Sequence, residues 1–174
     1  MDAILQLPTV LPKAPKKPKP KYVKPESLKA LESMYFYWYY AEKDDGKYRC
    51  IPEGSRVRQT FRDDTTNALT KAIKAWFSCQ NGYVARVNTT GMYDGRLKRY
   101  RHSGATHGVA DLVGTFKGKS VSVEVKFGRD KQSERQEKYQ RQVEAAGGVY
   151  IIARSFDGFL SEINNKFQLW ALAY

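Results

Sequence analysis

Sulfur and imidazole are scarce in this sequence. Two cysteines, Cys50 and Cys79, and two histidines, His102 and His107, stand among 174 residues. The cysteines lie far apart and form no C-x-x-C, so no zinc set with ligand spacing can be assembled. Both read as ordinary thiols of a reducing compartment. Long apolar runs are also missing, and none reaches the length of a membrane-spanning helix. The opening stretch MDAILQLPTVLPKAPKK has no basic region ahead of its short apolar part, so it does not read as a signal peptide. The expectation is a soluble protein with no membrane partner. Acid is short relative to base: 18 Asp and Glu against 30 Lys and Arg, a net charge of +12. Such an excess favours a polyanionic partner, nucleic acid or an acidic membrane surface. A basic but merely solvated surface is the plain alternative.

The length fits one domain with extensions. Residues 11–25, LPKAPKKPKPKYVKP, alternate proline with lysine. Proline blocks helix and strand, and the lysines repel one another, so residues 1–25 read as an extended basic tail. Residues 26–63 read as an N-terminal helical and aromatic extension. A helix is expected to start after Pro25, and its run YFYWYY reads either as core packing or as a stacking platform or protein interface.

Residues 64–174 read as the core domain. The stretch DTTNALTKAIKAWFS places Leu69, Ala72, Ile73, Trp76 and Phe77 on one helical stripe. Asp64 or Thr65 can cap its start, and Asn81-Gly82 can end it. A strand YVARV follows. The glycine- and arginine-rich stretch NTTGMYDGRLKRYRHSGATHG then reads as a hairpin or loop. Strands are expected over 109–116 and 120–127 with a turn at Lys117-Gly118-Lys119. A helix over 133–146, a core strand VYIIA and a C-terminal helix from 156 to 174 complete the pattern. The order predicts an α/β fold, a small mixed sheet flanked by helices.

One segment, GVADLVGTFKGKSVSVEVKF, carries three charges on an otherwise apolar strand pattern. Side chains alternate between the faces of a strand. Val121, Val123 and Val125 therefore share one face, and Ser120, Ser122, Glu124 and Lys126 share the other. Folding back at Gly118 sets Asp111 roughly opposite the Glu124–Lys126 end. Two carboxylates held together repel unless a cation sits between them, and oxygen-only ligands suit Mg²⁺ or Mn²⁺. On spacing alone, a surface Glu–Lys pair with a separate Asp fits as well.

Asp111 followed by Glu124-Val125-Lys126 resembles the D…ExK signature of the PD-(D/E)xK nucleases. The longer run through SERQEKYQRQVEAAGGVYII is similar to the VRR-NUC branch, which includes compact phage-encoded, Holliday-junction-resolvase-like nucleases. The similarity covers roughly Thr65 to Arg154. It implies a restriction-endonuclease-like core. It also implies Asp111 and Glu124 as metal ligands with the Val125 carbonyl, Lys126 as the catalytic lysine, and Gln136 beside the site. Gln136 equally fits an S-x-x-Q capping box with Ser133. Ala110 stands where the family name has proline. Many members carry an acid on the first core helix. Here Thr66 and Thr70 edge its stripe and the nearest acids are Asp63 and Asp64, which leaves two acids, a carbonyl and waters as the ligand set.

The implied activity is Mg²⁺- or Mn²⁺-dependent hydrolysis of DNA phosphodiesters, directed at branched or junction structures. No zinc finger or recognition-helix pair is visible to read sequence. Arg86, Arg96, Lys98, Arg99 and Arg101 are candidate phosphate contacts, or solvated charges on an exposed hairpin. Further expectations are a homodimer, a virion or replication-complex partner for the tail, and residence in the cytoplasm of a bacterial host or in a virion. The competing reading is a non-catalytic nucleic-acid-binding or virion-associated protein on the same fold.

Overall fold

The computed structural model describes residues 21–87, 92–101 and 108–169. The tail reading therefore falls mostly outside the described residues, as do His102, His107, the side chain of Arg101 and the last five residues of the expected C-terminal helix.

Four helices and six strands follow in chain order among the described residues. Helix α1 spans Glu26–Ala41 and α2 Thr66–Cys79. Strands β1 (Tyr83–Arg86), β2 (Met92–Asp94), β3 (Arg99–Arg101), β4 (Leu112–Phe116) and β5 (Lys119–Val125) come next. Helix α3 (Glu134–Ala145), strand β6 (Val149–Ala153) and helix α4 (Phe156–Phe167) close the chain. The protein is a mixed α/β fold. Its main sheet runs β1-β4-β5-β6, and β2 and β3 form a separate two-stranded ribbon. The β1–β4 and β4–β5 pairs are antiparallel, while β5 and β6 are parallel. A parallel pair cannot be joined by a tight turn, and α3 supplies the crossover.

Local chemistry accounts for these elements. Thr65 caps α2 by accepting from the Ala68 amide, which satisfies one orphan donor of the first turn. Asn81 adopts a left-handed φ of 55°, and the Gly82 amide returns to the Phe77 carbonyl at 2.8 Å, ending the helix. The β4–β5 turn needs positive φ at two successive residues, and Lys117 (47°) and Gly118 (76°) provide it. Strand β4 begins at Leu112, three residues later than expected. Residues 108–111 instead form the approach to the site. Gly108 has φ +89°, and a Cβ there would meet the Arg135 backbone at 2.7 Å. That contact lays the approach directly on α3.

The core lies between α2, α4 and one sheet face. Leu69, Ile73 and Phe77 of α2 pack with Leu112, Val121 and Val123 of the sheet and Phe159 and Ile163 of α4, all essentially inaccessible. Leu28 and Leu31 of α1 join the same core. The aromatic run of α1 is mostly packing. Phe36 and Tyr40 are buried and Tyr37 is exposed. The Tyr40 hydroxyl accepts from the Val57 amide at 2.8 Å. One buried carboxylate ties distant segments together. Asp63 accepts from the Tyr22 hydroxyl at 2.7 Å and from the Phe156 amide, at the start of α4, at 3.0 Å. No described helix is long and apolar enough to cross a membrane.

Candidate functional site

From Val121 onward strand β5 is buried on both faces, since α3 covers the side that carries Ser122 and Glu124. The Ser122 and Tyr139 hydroxyls lie 3.1 Å apart. Glu124 retains 3% of its exposure and Lys126 5%. Both charges therefore sit inside the protein, which is costly unless they are paired.

They are paired with each other and with Gln136. Lys126 Nζ lies 3.1 Å from Glu124 Oε1 and 3.4 Å from Asp130 Oδ2. It donates to Gln136 Oε1 at 3.0 Å, and Gln136 Nε2 donates to Glu124 Oε1. Gln136 also keeps its place in the capping box, accepting from the Ser133 amide at 3.0 Å. The capping and site roles of this residue coexist, because the cap orients its side chain across the end of β5.

Asp111 arrives from just ahead of the neighbouring strand β4. Leu112 pairs with Val123, so the preceding residue falls beside Glu124, as alternation along the two strands requires. Asp111 Oδ2 accepts from the Val125 amide at 2.9 Å. The two carboxylates influence each other electrostatically. Burial pushes the Glu124 carboxyl up, and the charge of Asp111 adds to the rise against the opposing pull of Lys126. Burial likewise raises the Tyr150 phenol, with Glu124 contributing.

Glu124 Oε2 is buried and has no hydrogen-bond partner. An unsatisfied buried acceptor costs about 1–3 kcal/mol, more when charged. A cation would relieve that cost and the repulsion from Asp111. The donor set fits a hard divalent ion, being all oxygen. Asp111, Glu124 and the Val125 carbonyl are the residues that could hold it. Among the described residues no group of three or more His, Cys, Asp or Glu side chains is arranged for a metal. Asp63 and Asp64 do not complete one. Asp63 serves Tyr22 and Phe156, and Asp64 is paired with Arg62.

No family model matches the chain, and no curated protein matches it.

The candidate phosphate contacts divide. Arg86 ends β1 opposite Leu112, and the next amide, Val87, donates to the Asp111 carbonyl at 2.9 Å. Its backbone is thus beside the site. Arg96, Lys98 and Arg99 are exposed on the β2–β3 ribbon, whose turn is held by Asp94 Oδ1 accepting from the Arg96 and Leu97 amides. None of these four is ion-paired to the Asp111–Glu124 cluster. Arg101 pairs with Met92 in the ribbon.

Sequence reasoning missed two residues that hold the site. Asp130 reaches Lys126 from the loop after β5. Arg154, just past β6, donates to the Gly128 and Asp130 carbonyls at 3.2 and 2.8 Å. It fixes the loop that carries Asp130. An arginine directly after a core strand was the available signal, but its partners are more than twenty residues away.

Proposed function

We propose that this protein is a divalent-metal-dependent endonuclease that hydrolyses DNA phosphodiesters on a restriction-endonuclease-like core of the PD-(D/E)xK, VRR-NUC type. One observation carries the proposal. Two carboxylates, one with a buried unpartnered oxygen, converge with a buried lysine and a glutamine at the end of the sheet. A structural ion pair needs neither the second acid nor the unsatisfied oxygen.

Asp111, Glu124 and the Val125 carbonyl would hold Mg²⁺ or Mn²⁺. Such an ion, when bound, polarises phosphate oxygen and lowers the pKa of water. The remaining work belongs to side chains of this chain. Lys126 presents a fixed positive charge to the phosphate as negative charge builds there. Gln136 holds Lys126 and Glu124 in one arrangement, limiting the reorganisation needed during reaction. Asp130, anchored through Arg154, offers Lys126 a competing partner at the solvent edge. The exposed cations of the ribbon and Arg86 contact the backbone without reading sequence, which fits selection by shape, such as branches or junctions. A homodimer, residence in a host cytoplasm or virion, and a partner for the basic tail are parts of the same proposal.

The non-catalytic alternative draws on the ligand set of only two acids among the described residues. Labelled junction, flap, duplex and single-stranded DNA, incubated with Mg²⁺, Mn²⁺ or EDTA, separates the two. Cleavage of any substrate that stops in EDTA supports the nuclease. Binding without cleavage under every condition supports the alternative.

A further inference from the structure

A second basic feature lies on the opposite side of the sheet from Glu124 and Lys126. A cleft of about 340 Å³ runs between α1, α2 and the edge strand β1. Lys71 and Lys74 line it from α2, Arg86 from β1, and Tyr35 with Phe61 form an aromatic wall. No acidic side chain is among the residues that line it. Lys71, Lys74 and Arg86 are exposed, and none has an acidic partner among the described residues. Lys71 and Lys74 are three apart on one helix, where like charges repel each other. An anion lying along the helix removes that repulsion.

The aromatic wall narrows the choice of anion. Tyr35 is half-buried and meets the Phe61 ring edge-on at 5.3 Å, so it is held in place rather than free to turn. A fixed ring beside a row of cations is how proteins take unpaired nucleic acid: the cations follow the phosphates and the ring stacks a base. A duplex hides its base faces and offers none to such a ring. The position agrees, since Arg86 ends β1 and Asp111 immediately precedes β4 at the same end of the sheet, where the Val87 amide donates to the Asp111 carbonyl.

We infer that this cleft binds an unpaired DNA strand, with Lys71, Lys74 and Arg86 on its phosphates and Tyr35 stacked on a base. The nuclease would then hold a single-stranded arm across the β1 edge of the sheet from its cutting site. The inference rests on the nuclease reading for the identity of the polymer, but binding in EDTA is scored apart from cleavage.

The test is fluorescence anisotropy in EDTA with a labelled oligo(dT) of about 15 nucleotides, within the size range of single-strand sites, and with a blunt hairpin duplex. The full chain is compared with Lys71→Ala/Lys74→Ala, with Tyr35→Leu, and with Lys117→Ala/Lys119→Ala at the far end of the sheet as a charge-matched control. The cleft double variant should weaken oligo(dT) binding about tenfold and lower the salt slope by about 1.4, at roughly 0.7 per lysine on a single strand. The control should stay within about threefold, and the duplex should respond to both double variants alike. Tyr35→Leu should cost oligo(dT) roughly tenfold, since a stack is worth about 1–3 kcal/mol per base, without moving the salt slope. Equal losses from cleft and control variants on oligo(dT), equal losses on oligo(dT) and duplex from the cleft variant, or no loss at all would overturn the inference. The two lysines are exposed, so their replacement tests the cleft even if Tyr35→Leu melts early. Cleavage of the same substrates with Mg²⁺ is read separately. Its absence would remove the nuclease reading and leave the strand-binding cleft standing.

Discussion

Gln136 is the residue at which helix capping and site assembly can be pulled apart. Its Oε1 accepts from the Ser133 amide and from Lys126 Nζ, both at 3.0 Å, and its Nε2 donates to Glu124. Ser133→Ala removes only the cap, at about 1 kcal/mol. Gln136→Ala removes the reciprocal half of the cap and two hydrogen bonds to charged, buried groups, which are worth about 1.5–3 kcal/mol each. Lys126 and Glu124 keep each other at 3.1 Å, so the losses fall short of their sum, and roughly 2–4 kcal/mol in total is expected. For a chain of this size each kcal/mol moves Tm by about 2–4 °C. Thermal melts in EDTA should therefore place Gln136→Ala about 2–12 °C below Ser133→Ala. Equal Tm values would mean that Gln136 is a capping residue and no more. Gln136→Glu gives a second reading. Glutamate keeps the capping box but sets another carboxylate against Glu124, so its Tm should fall in EDTA and recover more than the parent's when Mg²⁺ is added.

Three further outcomes follow from the site and the tail. Mg²⁺ or Mn²⁺ should raise Tm, by about 2.7 kcal/mol of stability at a hundred times Kd, and Asp111→Asn should lose most of the rise; an unchanged response in differential scanning fluorimetry would remove Asp111 from the ligand set. The raised Glu124 carboxyl means that the folded chain holds a proton which the unfolded chain has released, so metal-free stability should decline as pH rises from the ordinary carboxylate value, about 4.3, through the raised one; the decline should shrink in Asp111→Asn, and metal binding should strengthen over the same window. Deleting residues 1–20, which carry four lysines, should leave Tm unchanged and flatten the salt slope of DNA binding by roughly 3–4; an unaltered slope would assign the tail to another partner. The cut stops short of Tyr22 and Lys24, because Tyr22 is bonded to Asp63 and Lys24 to Glu32.

What the sequence made legible was local. The stripe of Leu69, Ile73 and Phe77, the caps at Thr65 and Ser133 and the turn at Lys117-Gly118 all follow from short spacings. Alternation along two strands joined by that turn was enough to put Asp111 beside Glu124. Alternation assigns faces but does not say what covers them. Beyond Ser120 the polar face of β5 is not open to solvent, because α3 closes over it and buries Ser122, Glu124 and Lys126. The contacts of Asp63 with Phe156 and of Arg154 with the 128–130 loop cross 93 and about 25 positions, and no periodicity encodes them. The basic cleft was hidden for the same reason. The spacing of Lys71 and Lys74 on α2 does not reveal that Tyr35 and Arg86 come against them from other elements.

The most direct test of the central claim is cleavage of branched DNA with Mg²⁺ by the parent and by Lys126→Ala, with binding and Tm measured on the same samples. Lys126 is one of 30 cationic residues, so its removal should leave DNA affinity within a few-fold, whereas a fixed donor at the transition state is worth on the order of 10²–10³ in rate. The expected result is a parent that cuts and stops in EDTA, and a folded variant that binds but cuts at least about a hundredfold more slowly. Equal cutting by the two proteins, or no cutting by the parent with either metal, would contradict it.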